Sequence, residues 1–136
     1  MWNNIFKPID VIQKGLSAAW TRNAVIRNNI ANIETPGFKA SYVEFESQFR
    51  RAIEESGFVG ARTHSGHREI GSGTTLDNFR PLIRQSRDLS MRNDGNNVDI
   101  ESENVRLVQN SIFYNTLMEK LNSEIRRLRM AISEGR

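Results

Sequence analysis

The strongest constraint on the fold is a seven-residue apolar repeat that runs through both ends of the chain and is missing from its middle. At the N-terminal end the repeat extends from Pro8 to Ile33. A proline suits the first turn of a helix, and Pro36 and Gly37 stop one. We therefore predict a long helix with a coiled-coil seam. This N-terminal seam comprises Ile9, Leu16, Asn23 and Ile30 at one position and Ile12, Ala19, Ile26 and Ile33 at the other.

A second helix is predicted from Asp99 to the end of the chain. Asp99 can cap the first backbone N–H groups, Glu101 and Glu103 complement the positive end of the helix dipole, and the arginines of 126–129 lie toward its negative end. Before it, residues 93–97 read as a turn. The C-terminal seam comprises Ile100, Leu107, Tyr114, Leu121 and Leu128 at one position and Asn104, Ser111, Met118, Ile125 and Ile132 at the other.

The middle has no sustained period. Residues 42–45 could form a strand, or 43–53 one short helix, and residues 56–88 are rich in Gly, Ser, Thr, Arg and His. Such a stretch suggests a partly disordered insert that orders against a partner. We predict a mainly α fold in which two long terminal helices pair as an antiparallel coiled coil. The organisation is an N-terminal helix and turn (1–38), a variable middle that could carry a short helix or β-hairpin (39–90), and a turn with the C-terminal helix (91–136).

One seam buries too little surface to hold a helix of this length, since ordering its backbone costs free energy at every residue. A second apolar stripe, formed by Val11, Ala18 and Val25, is expected to serve other subunits. Head-to-tail contacts of that kind propagate into rings or filaments. A monomeric helical hairpin or a simple dimer remains an alternative. Asparagines lie in and beside both seams. A polar residue in a seam lowers stability but fixes the register of the helices, so these asparagines favour one defined pairing of the helices.

Composition excludes several chemistries. The chain has 136 residues and no cysteine, which excludes disulfides, thiolate metal sites and cysteine nucleophiles. His64 and His67 flank Gly66 in an apparent loop without further ligands nearby, so we expect no metal and no cofactor. No catalytic motif occurs, and we expect no enzyme activity and no small-molecule substrate.

The positive net charge is compatible with one alternative function. There are 19 Lys and Arg against 16 Asp and Glu, a net charge of +3. A small basic helical nucleic-acid-binding or adaptor protein would use the arginines of 80–92 and 126–129, but aromatic residues are not interleaved with them. We expect no nucleic acid as partner. A membrane-surface helix ranks lower, since both polar faces mix acids with bases. The first ten residues lack the apolar run of a signal peptide, so we expect any export to proceed without a cleaved signal.

Two motifs carry a resemblance to a known family. Residues 28–39, Asn-Asn-Ile-Ala-Asn-Ile-Glu-Thr-Pro-Gly-Phe-Lys, resemble the N-terminal signature of bacterial flagellar axial proteins. Residues 94–103, Asp-Gly-Asn-Asn-Val-Asp-Ile-Glu-Ser-Glu, with Tyr-Asn-Thr-Leu at 114–117, are similar to the short proximal rod subunit, the FlgB type. The residues that match are the assembly motif Asn28, Asn29, Asn32, Thr35, Pro36, Gly37 and Phe38, and the turn and cap Asp94, Gly95, Asn96 and Asp99.

The resemblance implies a non-enzymatic building block of the flagellar drive shaft. It implies export through the flagellar type III apparatus and assembly in the periplasm at the base of the rod. The partners that it implies are other rod subunits, or copies of the chain itself, with the membrane-ring protein and the rod adaptor. The function that follows is a structural subunit of the proximal rod that polymerises by helix packing and contributes to torque transmission for motility.

Overall fold

Two long helices and a small sheet make up the described part of the molecule. In this computed structural model, the structure describes residues 3–47, 49–50, 80–90 and 92–134. The predictions for His64, His67 and most of the variable middle lie outside the described residues. The elements within them are α1 (Asn3–Ala31), β1 (Ser41–Glu44), β2 (Leu82–Gln85) and α2 (Ile100–Glu134). A mainly helical fold with two long terminal helices is confirmed.

The first helix starts earlier than the sequence predicts. Helix α1 begins at Asn3 and contains Pro8, which is exposed. A proline this close to a helix start removes one hydrogen bond, to the carbonyl four residues earlier, and an exposed carbonyl can bond to water instead. The apolar pattern therefore marked where the seam begins rather than where the helix does.

The two helices pack against each other in antiparallel directions. Near the end of α1, Asn29 lies beside Glu103, with Nδ2 3.1 Å from Oε2. Farther back, the Nδ2 of Asn110 donates to the carbonyl of Ala19 at 2.9 Å. Residue numbers therefore fall along α1 as they rise along α2, which is an antiparallel arrangement. It brings residues from near the two ends of the sequence together.

Gly15 brings the helices close together. A Cβ atom at this buried position would lie 3.1 Å from Cδ1 of Leu117, tighter than an ordinary van der Waals contact. The missing side chain therefore creates the space that the leucine of α2 occupies. Glycine lowers the helix propensity of α1, but it allows close packing between the two helices.

On α1 the positions Ile12, Ala19 and Ile26 are buried, and the other members of the N-terminal seam are partly buried. On α2 the buried line is not the one that the apolar pattern marks. Its most buried side chains are Glu103, Asn110 and Glu124, and Leu117 continues the same line in a partly buried position.

That buried line stands one residue before the predicted Asn104, Ser111, Met118 and Ile125. Of the predicted C-terminal seam, Leu107, Tyr114, Met118, Leu121 and Leu128 are partly buried, whereas Ile125 and Ile132 are exposed. The buried line differs from the predicted one because most positions that face α1 carry carboxylates and an amide. A search for apolar residues does not find such positions.

Two of the three residues of the second apolar stripe of α1, Ala18 and Val25, are covered from within the chain, which corrects for them the expectation that the stripe serves other subunits. Ala18 is fully buried in a cluster with Val43 and Phe45, and Val25 and Phe49 pack against that cluster. The strand segment thus lies across the face of α1 that the seam leaves open.

The sheet ties the two sides of the middle segment together. Strand β1 pairs antiparallel with β2 in the register Ser41↔Gln85 to Glu44↔Leu82. Beyond the strands, the N–H of Ser86 donates to the carbonyl of Ala40 at 2.7 Å. Of the two sequence alternatives for this region, residues 41–44 form the strand, and helical residues begin directly afterwards at 46. Among the described helices, none is long and apolar enough to cross a membrane.

Glu124 is buried beside two cations of its own helix. Its carboxylate is 3.1 Å from Nζ of Lys120 and 3.0 Å from Nη1 of Arg127. The hydrogen bond from Lys120, with the charge of Arg127, holds the pKa of Glu124 below its ordinary value, against the opposing effect of desolvation. The carboxylate is therefore favoured in its charged form.

We predict that Gly15→Val destabilises the helix pair by about 1–3 kcal/mol, because the added methyl groups overlap Leu117. Urea unfolding of the purified chain measures the change. Ala24→Val, at an exposed α1 position, is the matched control and should cost less. Adding Leu117→Ala to the valine variant should recover part of the loss. Additive effects of the two substitutions would contradict the contact.

A second prediction concerns acid. Because the folded-state pKa of Glu124 is lowered, its contribution to stability is complete above the unfolded-state pKa and is lost as the pH falls through the folded-state pKa. Glu124→Gln should therefore flatten the loss of stability between pH 5 and 3, about where carboxylates titrate. Thermal unfolding at several pH values tests this. The exposed Glu119→Gln is the control, and an unchanged acid profile for the Glu124 variant would contradict the assignment.

Candidate functional site

The two motifs that the sequence singles out meet at the end of α1. Residues 28–38, which close the helix and turn, contact residues 92–99, which precede α2. We call this contact the junction. Its hydrogen bonds join segments about sixty residues apart in the sequence, so the two motifs form one hydrogen-bonded unit.

Asn96 is the centre of the junction and is only 1% exposed. Its Nδ2 donates to the carbonyls of Asn32 at 2.9 Å, Ile33 at 3.0 Å and Thr35 at 2.9 Å. These carbonyls belong to the turn that follows α1, so a buried amide from elsewhere in the chain holds the path of the backbone directly after the helix. The Oδ1 of Asn96 accepts the N–H of Val98 at 2.7 Å, which uses both ends of the amide.

Asn29 makes the second link, from inside α1. It is fully buried, and its amide pairs with both backbone groups of Ser41: Oδ1 accepts the N–H at 2.9 Å and Nδ2 donates to the carbonyl at 2.7 Å. The same Nδ2 reaches Glu103 of α2. Glu103 also accepts a bond from Arg106 at 2.7 Å, so the buried carboxylate has donors on two sides. One asparagine thus joins α1, β1 and α2.

Two glycines allow the turns of the junction to touch. Gly37 has φ = 73° and Gly95 has φ = 76°, in the left-handed region that residues with a Cβ rarely adopt. The N–H of Gly37 donates to the carbonyl of Asp94 at 2.8 Å, and a Cβ on Gly95 would meet the Cα of Gly37 at 3.8 Å. The sharp turn predicted at 36–37 is therefore also a contact surface for the second motif.

The remaining motif residues support the same turn. The Nδ2 of Asn32 donates to the carbonyl of Asn28 at 2.8 Å, and the hydroxyl of Thr35 donates to Oδ1 of Asn32 at 3.3 Å. Pro36 is exposed and Phe38 is partly buried. The Oδ1 of Asp94 accepts the N–H of Asn96 at 3.1 Å, and Oδ1 of Asp99 accepts the N–H of Glu101 at 3.1 Å, as a helix cap does.

Sequence reasoning missed three residues of the junction. Asn97 accepts the N–H of Ala40 through Oδ1 at 2.7 Å, and Lys39 donates from Nζ to the carbonyl of Gly95 at 2.7 Å. Arg92 donates from Nη1 to the carbonyl of Ile33 at 3.1 Å. Lys39 and Asn97 lie inside the two quoted motifs, but the sequence assigned no role to either side chain.

The chemistry of this arrangement is structural. The amides, the lysine and the arginine of the junction bond to backbone groups, which fixes the path of the chain. Within the described ranges there is no group of three His, Asp or Glu residues suited to hold a metal ion. The junction therefore fixes the direction of the backbone where it leaves α1 and where it enters α2.

Comparison with known proteins matches the same parts of the chain. Residues 9–39 match the family model of the flagella basal body rod protein. The chain is 34% identical to the flagellar basal body rod protein FlgB of Bacillus subtilis over 94% of its length and 95% of that relative. It is 38% identical to FlgB of Borrelia hermsii, over 82% of the chain and 85% of the relative. FlgB of Aeromonas hydrophila is 33% identical, over 93% and 92%.

We predict that Asn96→Ala destabilises the chain by about 2–3 kcal/mol, because the turn after α1 loses the three hydrogen bonds that it accepts from this buried amide. Asn96→Asp should cost more, since a carboxylate would face those carbonyl oxygens. Unfolding by urea at neutral pH measures both. Asn93→Ala, exposed in the same turn, is the control and should stay within about 0.5 kcal/mol. Equal tolerance of Ala, Asp and wild-type side chains would contradict the capping role.

Proposed function

Because this chain belongs to the FlgB-type flagellar basal body rod proteins, we propose that it is a structural, non-enzymatic subunit of the proximal rod, the base of the flagellar drive shaft. The junction is the observation that carries the proposal, since it brings the motif of residues 28–38 and the motif of residues 94–99 into one hydrogen-bonded unit. The chain's two ends act as one assembly domain, into which the segment 39–90 is inserted.

The subunit polymerises by helix packing. The side of α2 that faces away from α1 carries three aliphatic residues, Val105, Val108 and Ile112, each more than half exposed. Their spacing places them on one stripe of the helix, opposite the buried line of Glu103 and Asn110. A contiguous patch of exposed apolar residues on a helix favours contact with a partner protein. We infer that α1 and α2 pair as a coiled coil and that neighbouring subunits cover this stripe.

The location and partners follow from the family. The chain is exported through the flagellar type III apparatus and assembles in the periplasm. Its partners are other rod subunits, or copies of itself, with the membrane-ring protein and the rod adaptor at the base. The junction and the close contact at Gly15 fix the two helices to each other, a rigidity that suits a part which contributes to torque transmission.

Nucleic-acid binding has weaker support. Several arginines are paired with carboxylates of the same chain, among them Arg22 with Glu46 at 2.5 Å and Arg84 with Glu44 at 2.5 Å. Cations that are already paired attract phosphates less strongly. The charge pattern therefore favours contacts within and between protein subunits.

We predict that deleting the gene for this chain abolishes motility, and that the plasmid-borne gene restores both motility and the chain in purified basal bodies. Ile112→Asp should fail to restore either, because it places a charge in the exposed stripe, while the purified variant unfolds like wild type. Swimming assays and immunoblots of basal bodies measure the outcome. Ser123→Asp, exposed on the same helix, is the control. A deletion strain that swims normally would overturn the proposed function.

A further inference from the structure

A groove runs between α1 and α2 on the side of the helix pair that faces away from the sheet. Ala18 and Trp20 flank the buried Ala19, and the sheet segment covers Ala18, so Trp20 lies on the opposite side. The groove has a volume of about 510 Å³. Its walls include Trp20, Ala24 and Arg27 of α1 and Ser111, Tyr114 and Asn115 of α2. We call it the open groove.

Trp20 gives the open groove a large apolar wall. Its side chain is 70% exposed, so the molecule lacks the stabilisation that burial of so large an aromatic group would give. Tryptophan is also among the residues that contribute most to binding when a partner covers them. This wall therefore favours a partner that brings an apolar side chain.

Arg27 is the single charged residue among the described residues that line the open groove. It is exposed, and no carboxylate among the described residues pairs with it. A guanidinium group binds a carboxylate through two parallel hydrogen bonds. Arg27 stands seven residues after Trp20 on one stripe of α1, about 10 Å farther along at 1.5 Å per residue. The groove therefore favours a partner with a carboxylate about 10 Å from an apolar side chain.

The apolar seam of α2 opens toward the same groove. Tyr114 and Met118 stand four and eight residues after the buried Asn110, so they lie about 40° and 80° round the helix from the side that faces α1. The groove residue Ser111 lies about 100° round in the same direction. Tyr114 and Met118 are only partly buried. Helix α1 therefore covers one side of this seam and leaves the other side to the open groove.

The seam of α1 is arranged in the same way. Leu16 and Asn23 lie about 60° and 40° round the helix from the buried Ala19, toward Trp20, and both are partly buried. An apolar arc that is wider than one neighbour covers is typical of a helix that packs against more than one partner. The two seams thus converge on the open groove, which continues the interface between α1 and α2.

We propose that the open groove seats an amphipathic helix of a neighbouring rod protein, which completes a three-helix contact with α1 and α2. This inference rests on the proposed function and names the kind of partner that the helix pair receives. The bound helix runs along the groove, packs an apolar side chain on Trp20 and places a carboxylate against Arg27. Because a helix advances 1.5 Å per residue, these two partner residues stand about seven positions apart.

The occupant is a rod protein other than this chain. A second copy would have to offer another of its exposed surfaces, such as the stripe of Val105, Val108 and Ile112. A contact between two different surfaces of one kind of subunit repeats without limit unless it closes into a ring. A subunit that forms only the base of the shaft instead needs a contact that ends at a neighbour of another kind.

Photo-crosslinking in assembled basal bodies tests the occupant. The variant Ala24→p-benzoylphenylalanine, expressed in the deletion strain, places the reactive group in the open groove. After irradiation, the basal bodies are purified and the cross-linked peptide is identified by mass spectrometry. We expect a peptide of another rod protein that has apolar residues at seven-residue spacing, with Asp or Glu about seven positions from one of them.

The control is Gln109→p-benzoylphenylalanine, which is exposed on the sheet side of α2 and should not capture that peptide. Capture of a second copy, capture of a peptide without that pattern, or no capture at all would overturn the inference.

Two substitutions test the contact itself. Trp20→Ala and Arg27→Glu change exposed side chains, so each purified variant should melt as wild type does by circular dichroism. Each should lower the amount of the chain in basal bodies at least about tenfold. Arg87→Glu changes an exposed arginine after β2 and is the charge-matched control, which should assemble normally. Lysine in place of the captured carboxylate of the partner should restore assembly of the Arg27 variant but not of the Trp20 variant.

The outcomes separate this inference from the proposed function. If both variants enter basal bodies and support swimming as wild type does, the groove contact is rejected although the chain is still a rod subunit. The same holds if the lysine of the partner does not restore the Arg27 variant. If the deletion strain itself swims normally, the proposed function fails, and the inference fails with it.

Discussion

The amide of Asn96 at the end of α1 is the interaction on which the rest of the described structure depends. Three carbonyls of the turn that follows α1 share one buried side chain from the turn before α2. Because this donor stands about sixty residues later in the sequence, the exit from the first helix and the entry to the second are fixed to each other. The glycines at 37 and 95 let the two turns touch, and Asn29 extends the same network to β1 and α2.

Polar groups set the register of the helix pair, and apolar groups supply its bulk. Two buried polar side chains of α2 bond to α1, Glu103 to Asn29 and Asn110 to the carbonyl of Ala19. A buried amide or carboxylate tolerates few arrangements, because each displaced register leaves it without partners. Gly15 and Leu117 add a steric fit to the same register. A structural subunit of a rod needs a helix pair with one defined register.

The sequence predicted those parts of the fold that follow from periodicity and local chemistry. Two long helices, a turn at 36–37 and a turn before Asp99 were readable because apolar spacing, proline, glycine and acidic caps act locally. The buried line of α2 was not readable, since its members are mostly polar and stand one residue before the apolar positions. Nor could the cover over Ala18 be foreseen, because Val43 and Phe45 come from a segment without a clear period. The resemblance marked both motifs of the junction, but only the fold reveals that Asn96 of one motif bonds to the turn of the other.

Because β1 pairs with β2, the length of the segment between these strands does not affect how the two helices are arranged. The chain departs from one strand and returns on its neighbour, about 4.8 Å away, so both ends of the insert are anchored at one place on the helix pair. Lengthening a loop whose ends are already held together costs free energy only logarithmically. The insert is thus free to diverge in size and recognition among related subunits, and it is a natural position for a graft, a tag or a fluorescent domain that leaves the axial helices undisturbed.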